Sequence, residues 1–379
     1  MLTTWHHTAW AFFSIMLAGV IFSSRIFSFM DKDVSAYRIK RMDGLRYVLA
    51  ALVAMHHFVF SHNQVVLGNW NIEGFFIEYF SGKFAVMIFF MISGYLFISV
   101  CEKETDWIKL YVNRFFRIVP MATVSSLLCV VIAALLQLHT GKFFFSDNIL
   151  YWFDGGIMNI RPDLFGYKKS FLLSGGVTWS LVWEWALYFS LPFIYFLNFR
   201  KNTIVLLLSI IFICYYALSK YEYRTALYIA TFAIGALCKK MTTLQDKINS
   251  HEKIFSWLSL PLFAACFAFG YKENPITLSI TVMYGLFFYS ICCGGKLAGV
   301  LEWKGFIRLG DASFSIYLLH STFWFVMNKL ANHFSLTSDI SKYYLLSTLS
   351  WILICGVSCL AYHFIEIPFI KLGKRLVKR

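Results

Sequence analysis

Charge is what this sequence has least of: Asp, Glu, Lys and Arg together make up 14% of 379 residues. Soluble domains carry about 25%, so a chain that is 59% hydrophobic falls outside the soluble globular class. Cysteine motifs are missing too. None of the nine Cys lies in the segment 139–177 and no C-x-x-C occurs, so neither a disulfide framework nor a metal site is indicated. No Gly-x-Ser-x-Gly elbow presents a nucleophilic serine. Internal repeats, heptads and low-complexity stretches are absent. No basic and aromatic single-strand-binding module stands outside the apolar blocks, so the formal charge of +14 is not a nucleic-acid signal.

What the chain has is long apolar runs. Eleven blocks have the length needed to cross about 30 Å of hydrocarbon as a helix: roughly 8–29, 44–62, 83–100, 118–138, 178–199, 203–219, 223–238, 254–270, 275–293, 310–330 and 344–365. The first has no Lys or Arg before it and reads as a retained helix rather than a cleaved signal. The fold class is therefore all-α, a polytopic transmembrane bundle of about 11 spans. The basic residues sort by loop: one alternate set holds twenty-two Lys and Arg and the other ten, four of them in the single long loop 139–177. Short basic loops stay inside, which predicts the N-terminus outside and the C-terminus in the cytoplasm.

A charge in mid-span costs about 2.5–3.5 kcal/mol on insertion scales, so the polar exceptions are the informative positions. Arg25 sits near a span end and can snorkel. Arg46 and His57 are different. Eleven residues apart, they share a helix face to within roughly 20° and stand about 16 Å apart along the axis. That suits a ligand with an anionic head and a long arm reaching into the outer half of the membrane. Glu184, about two turns inside its span, is expected at a depth similar to His57, where a carboxylate would orient an imidazole as a general base. Arg114 and Arg117, three apart at an inner end, share a face and have the planar geometry that suits phosphate. His320 lies near the middle of its span.

In chain order the sequence carries Arg41-Met-Asp-Gly-Leu-Arg46 with His57, then Phe89-Phe-Met-Ile-Ser93-Gly94-Tyr95 and Arg114-Phe-Phe-Arg117-Ile-Val-Pro120. Trp179-Ser-Leu-Val-Trp-Glu184, Leu309-Gly-Asp-Ala-Ser-Phe-Ser-Ile-Tyr317-Leu-Leu-His320 and Tyr362-His-Phe-Ile-Glu366-Ile-Pro368 follow. Together these segments resemble the acyltransferase 3 family, membrane O-acyltransferases acting on bacterial surface glycans. In that family the Arg/Lys–His pair eleven residues apart marks the first helix of a ten-helix core. Residues 1–37 would then be an extra leading helix and linker, and 38–379 the acyltransferase domain. One departure stands out: the family usually has a basic residue at the position of Ile367, so an inner-end ion pair there lacks its usual cation. Ser93-Gly94 reads as a close helix approach.

The resemblance implies a bacterial inner-membrane enzyme that transfers an acyl group, in the first instance acetyl, from cytoplasmic acetyl-CoA to a hydroxyl of an extracytoplasmic carbohydrate such as a lipid-linked O-antigen or exopolysaccharide unit. His57 would be the catalytic base and Glu184 its polar partner, with Arg46, Arg114 and Arg117 holding the donor. Trp179, His320, Asp154 and Asp163, with Trp152 and Arg161, are candidates for contacting acceptor or acyl chain. Transfer could be direct or pass through an acyl-histidine, and a second copy or a separate outer-side protein could take part. The rival readings are a flippase or a polymerase for a lipid-linked glycan.

Overall fold

The computed structural model describes residues 4–31, 38–145, 147–198, 202–223, 225–245, 252–272 and 277–378, with the side chains of 244–245, 252–253 and 271–272 excepted. The loop cations Lys32, Arg200, Lys201, Arg224, Lys247 and Arg379 lie outside these residues, as do the side chains of Lys253 and Lys272. Thirteen α-helices are described: α1 (Thr4–Phe22), α2 (Lys40–His62), α3 (Phe76–Phe97), α4 (Trp107–His139), α5 (Trp179–Leu197), α6 (Thr203–Tyr221), α7 (Thr225–Gln245), α8 (Glu252–Lys272), α9 (Leu278–Cys292), α10 (Lys304–Asp311), α11 (Ser313–His333), α12 (Ile340–Ala361) and α13 (Ile367–Leu376). Among the described residues no strand forms. Within the described residues each of the eleven apolar blocks is mainly helical, and α10 and α13 are short additional helices.

Seven helical stretches are long and apolar enough to span a membrane, which makes this a multi-pass membrane protein. The apolar stretches of α8 and α9 are shorter, and α7 and α11 fall short on composition. In α11 the reason is visible: Ser313, Ser315, His320, Ser321, Thr322 and Asn328 are all buried inside the bundle. That helix faces protein rather than lipid, so its polarity costs little. Among the described residues seven helical stretches, not eleven, therefore meet length and composition on their own.

Helix α2 is the centre of the bundle. It packs on α3, α10 and α11, and buried residues along it belong to two apolar clusters, one toward α3, α5, α7 and α9 and one toward α1, α11 and α12. Glycines set the closest approaches. A Cβ at Gly94 would strike the Phe232 carbonyl, and one at Gly235 the Met91 carbonyl, so α3 and α7 cross backbone on backbone. Close approach at small residues is a common membrane solution, because helices there associate by van der Waals fit.

Two π-helical turns interrupt the regular helices, at Asn63–Leu67 after α2 and at Tyr362–Glu366 between α12 and α13. Such turns re-aim side chains and recur at functional sites. The second brings Tyr362 toward the interior and buries Glu366. Helix α1 docks on α10 and α12. Arg308, 1% exposed, donates to the carbonyls of Phe22 (2.8 Å) and Ser24 (2.7 Å) and to both carboxylate oxygens of Asp31, tying the exit of α1 to α10.

Candidate active site

A cavity of about 670 Å³ opens among α2, α3, α4, α5, α10, α11, α13 and the turn at Tyr362. Arg46, Arg114, Arg117, Asn113, Asp311 and Lys374 line it with Glu184, Ser180, Tyr317 and Tyr362. Its volume is in the range of small-molecule sites. Each cation is held differently. Arg46 pairs with Asp43 at 3.0 Å with its side chain 29% exposed, and Arg117 pairs with Glu366 at 3.1 Å with 31% exposed. Arg114 has aromatic partners, lying 5.0 Å over the Phe97 ring and 5.8 Å over that of Tyr188. Behind Arg46, Arg38 bridges Asp43 and Asp311. The guanidinium groups are thus pre-positioned by carboxylates and rings while still facing the cavity.

An ion pair does form at the closing motif, contrary to what Ile367 suggested. Its cation comes from another helix, Arg117 of α4. Glu366 also accepts a 2.5 Å hydrogen bond from Ser315 Oγ, which fixes α11, α4 and the π turn together.

At the other end of the cavity Tyr317 and Ser180 share a 2.7 Å hydrogen bond, and both hydroxyls reach the Val177 carbonyl at 3.1 Å. One turn further along α11 stands His320, its ring centroid 6.1 Å from that of Tyr317. His320 Nε2 lies 3.1 Å from His57 Nδ1. This corrects the expected pairing of His57 with Glu184: no hydrogen bond joins those two among the described residues. Glu184 instead accepts from the Tyr188 hydroxyl one turn along its own helix. Depth alone put Glu184 and His57 side by side, and depth carries no information on which face of α5 turns toward α2.

The histidine pair has a defined sense. His320 Nδ1 is 2.9 Å from the Ile316 carbonyl, which can only accept, so that nitrogen carries the proton. In a neutral ring Nε2 then holds the lone pair and accepts from His57 Nδ1–H, which also lies 3.1 Å from the Val53 carbonyl. His57 is left with its lone pair on Nε2.

The long loop is a built cap. Asp154 accepts from the backbone N–H groups of Gly156, Met158 and Asn159 and pairs with Arg161 at 2.8 Å. Asp163 receives the Ser170 N–H at 3.3 Å, and Trp152, 1% exposed, donates to the Pro162 carbonyl at 3.0 Å. The polar atoms of Asp154 and Arg161 are thus occupied in shaping the loop, and neither lines the cavity. Trp179 stands behind the cavity wall against Phe90 and Tyr228. A 3-10 turn, Ser170–Ser174, packs on α11. Gly175, with φ of +62°, follows it, and a Cβ there would collide with Ser321 and come within 3.1 Å of His57 Cδ2. The loop therefore ends directly against the histidine pair, in a backbone conformation that favours glycine.

Fold and cavity define a class first: a multi-pass helical membrane protein with polar chemistry buried between its helices. Residues 39–363 match the family described as "Acyltransferase domain", and the chain belongs to this acyltransferase 3 family of membrane acyltransferases. No curated protein and no solved structure matches the chain. The match begins beyond α1. Sequence reasoning missed Lys374, counted only as a tail cation, and Asp311. The π turn folds α13 back along α4, with Gly373 against Phe116, and this carries Lys374 to the cavity. The three-residue spacing of Lys371 and Lys374 was the available signal.

Proposed function

We propose that the protein transfers an acyl group, most simply acetyl, from acyl-CoA bound in the cationic cavity to a hydroxyl of an extracytoplasmic carbohydrate such as a lipid-linked O-antigen or exopolysaccharide unit. One observation carries this reading: a single cavity runs from Arg46, Arg114, Arg117 and Lys374 to Tyr317, one turn from the His57–His320 pair. With the basic loops in the cytoplasm, the cationic end faces the compartment that holds the donor. Phosphates suit the guanidinium groups there, and the pantetheine arm can extend toward the histidines.

His57 Nε2 takes the proton of the acceptor hydroxyl as its oxygen attacks the thioester carbonyl. The C–S bond breaks, and the departing thiolate recovers the proton from His57. His320 holds the tautomer and shares the charge of the imidazolium, and the enclosed site strengthens both effects. An acyl-histidine route would use the same nitrogen as nucleophile. A flippase would use inverted repeats and broken helices, and a polymerase would place its essential arginines in the outer loop, where Arg161 is instead occupied by Asp154.

The test is mass spectrometry of the host's surface polysaccharide with the wild-type chain, with His57→Ala, and without the gene. Acylation only with the wild type supports the proposal. Unchanged acylation in all three, with altered glycan length or export, refutes it.

A further inference from the structure

Outside the cavity lining, a second polar and aromatic group surrounds His56 and His57. Trp70, in the loop after the first π turn, stacks on Phe60 with centroids 5.0 Å apart. Phe60 meets His56 at 5.0 Å and His57 at 6.3 Å, and His56 faces Tyr79 at 6.4 Å. The Lys83 ammonium lies 5.9 Å over the Tyr79 ring. His57, Phe60, Trp70, Tyr79 and Lys83 are all partly exposed and lie around the buried His56 ring, where they form a shelf. Gly82 makes it possible: any side chain there would run into the His56 ring, and its absence lets α3 bring Lys83 beside α2.

Lys83 is the unexplained member. It stands seven residues into α3, roughly 10 Å below that helix's start, at a depth close to that of His57, five residues before the end of α2. Among the described residues no carboxylate pairs with it. The carboxyl of Glu78, the nearest acid in sequence, is turned away to the Thr8 hydroxyl of α1 at 2.7 Å. A cation inside a span ordinarily faces a partner or a pathway. Aromatic rings with exposed faces suit the C–H faces of pyranose sugars, whose weakly positive hydrogens meet the negative ring face.

We infer that this shelf binds the acceptor, and that the acceptor is an anionic glycan whose acidic group lies on Lys83 while a sugar ring stacks on Phe60, Trp70 and Tyr79. The inference rests on the acyltransferase reading and adds to it the substrate class. The acidic group is either a carboxylate of the glycan itself or the phosphate that joins it to its lipid carrier.

The experiment uses the full chain in proteoliposomes, radiolabelled acetyl-CoA, and glycolipid extracted from host cells lacking the gene. The extract is used intact, after chemical reduction of its carboxyl groups to alcohols, or after mild-acid release from the lipid phosphate. For the wild type, one of the two treatments is expected to raise KM about tenfold, equal to about 1.4 kcal/mol. Lys83→Met should raise KM for the intact extract by the same factor, keep kcat within about twofold, and lose sensitivity to that treatment. Lys83→Arg should restore it. Carboxyl reduction as the effective treatment assigns a sugar acid; release assigns the carrier phosphate. Transfer by the wild type with an unchanged KM for Lys83→Met overturns the inference, as does a wild type indifferent to both treatments. No transfer from the intact extract by the wild type overturns the acyltransferase reading instead.

Discussion

His57 and His320 are each set by one backbone carbonyl a turn away, Val53 and Ile316, so their chemistry follows from helix geometry. Losing the base costs about 10²–10⁴-fold in rate, and His57→Ala is expected to lose kcat on that scale in a transfer assay. His320→Ala should lower kcat by less, about 10- to 100-fold, with KM for the donor unchanged, because His320 orients the base without holding the donor. Glu366 is a second residue-scale test. It is 1% exposed and paired with Arg117, and removing one partner of a buried pair costs about 3–5 kcal/mol. Since Arg117 remains a third exposed, Glu366→Ala is expected near the lower end, read as a fall in thermal midpoint in detergent. Arg117 and Glu366 were both visible in the sequence as motif residues. Their pairing was not, because they lie 249 positions apart and only the π turn aims them at each other.

Among the elements, the closest approach of α3 and α7 depends on two glycines, with Phe90 stacked on Phe232 beside it. Gly94→Val and Gly235→Val each force a Cβ into a backbone carbonyl, an overpacking that costs about 1–3 kcal/mol or more. Both should reduce the yield of monodisperse protein on size exclusion. The long loop 139–177 is held by Asp154. Burial pushes its carboxyl up, but the hydrogen bond from Arg161 and those from the Gly156 and Met158 N–H groups outweigh burial and hold it below the usual carboxylate range. The sign follows: this stabilisation is full above the unfolded carboxylate pKa of about 3.9, and is lost as pH falls through the lower folded value. Protease resistance of the loop should therefore persist at neutral pH and decline only in strong acid, and Asp154→Asn should remove it at neutral pH. Sequence reasoning placed Asp154 and Arg161 with the acceptor because polar residues in a long loop are usually functional; the local turn that consumes them is a tertiary fact.

At the scale of the whole molecule, α1 lies outside the matched residues 39–363 yet is built into the bundle. The Tyr47 hydroxyl donates to the Ile15 carbonyl at 2.9 Å, and Arg308 depends on Phe22, Ser24 and Asp31 for its hydrogen bonds. Deleting residues 1–31 would leave a buried guanidinium without partners, a loss of several kcal/mol. The truncated protein should fail to accumulate in membranes, and Arg308→Met in the same background should recover part of it. If the truncation accumulates normally without that second change, α1 is dispensable for folding.

The sequence by itself determined the class, the helices and three of the arginines that line the cavity. Hydrophobic run length and motif order are local properties, and a membrane forbids the alternatives to helix. The tertiary structure decided which helix faces meet. It replaced Glu184 with His320 as the partner of His57, gave Arg117 its carboxylate from α12's π turn, and drew Lys374 into the cavity. It also set Lys83 beside the rings that border His57. Those outcomes depend on helix rotation and on glycine-permitted approach, and apolar periodicity is silent on both where every face of a span is hydrophobic.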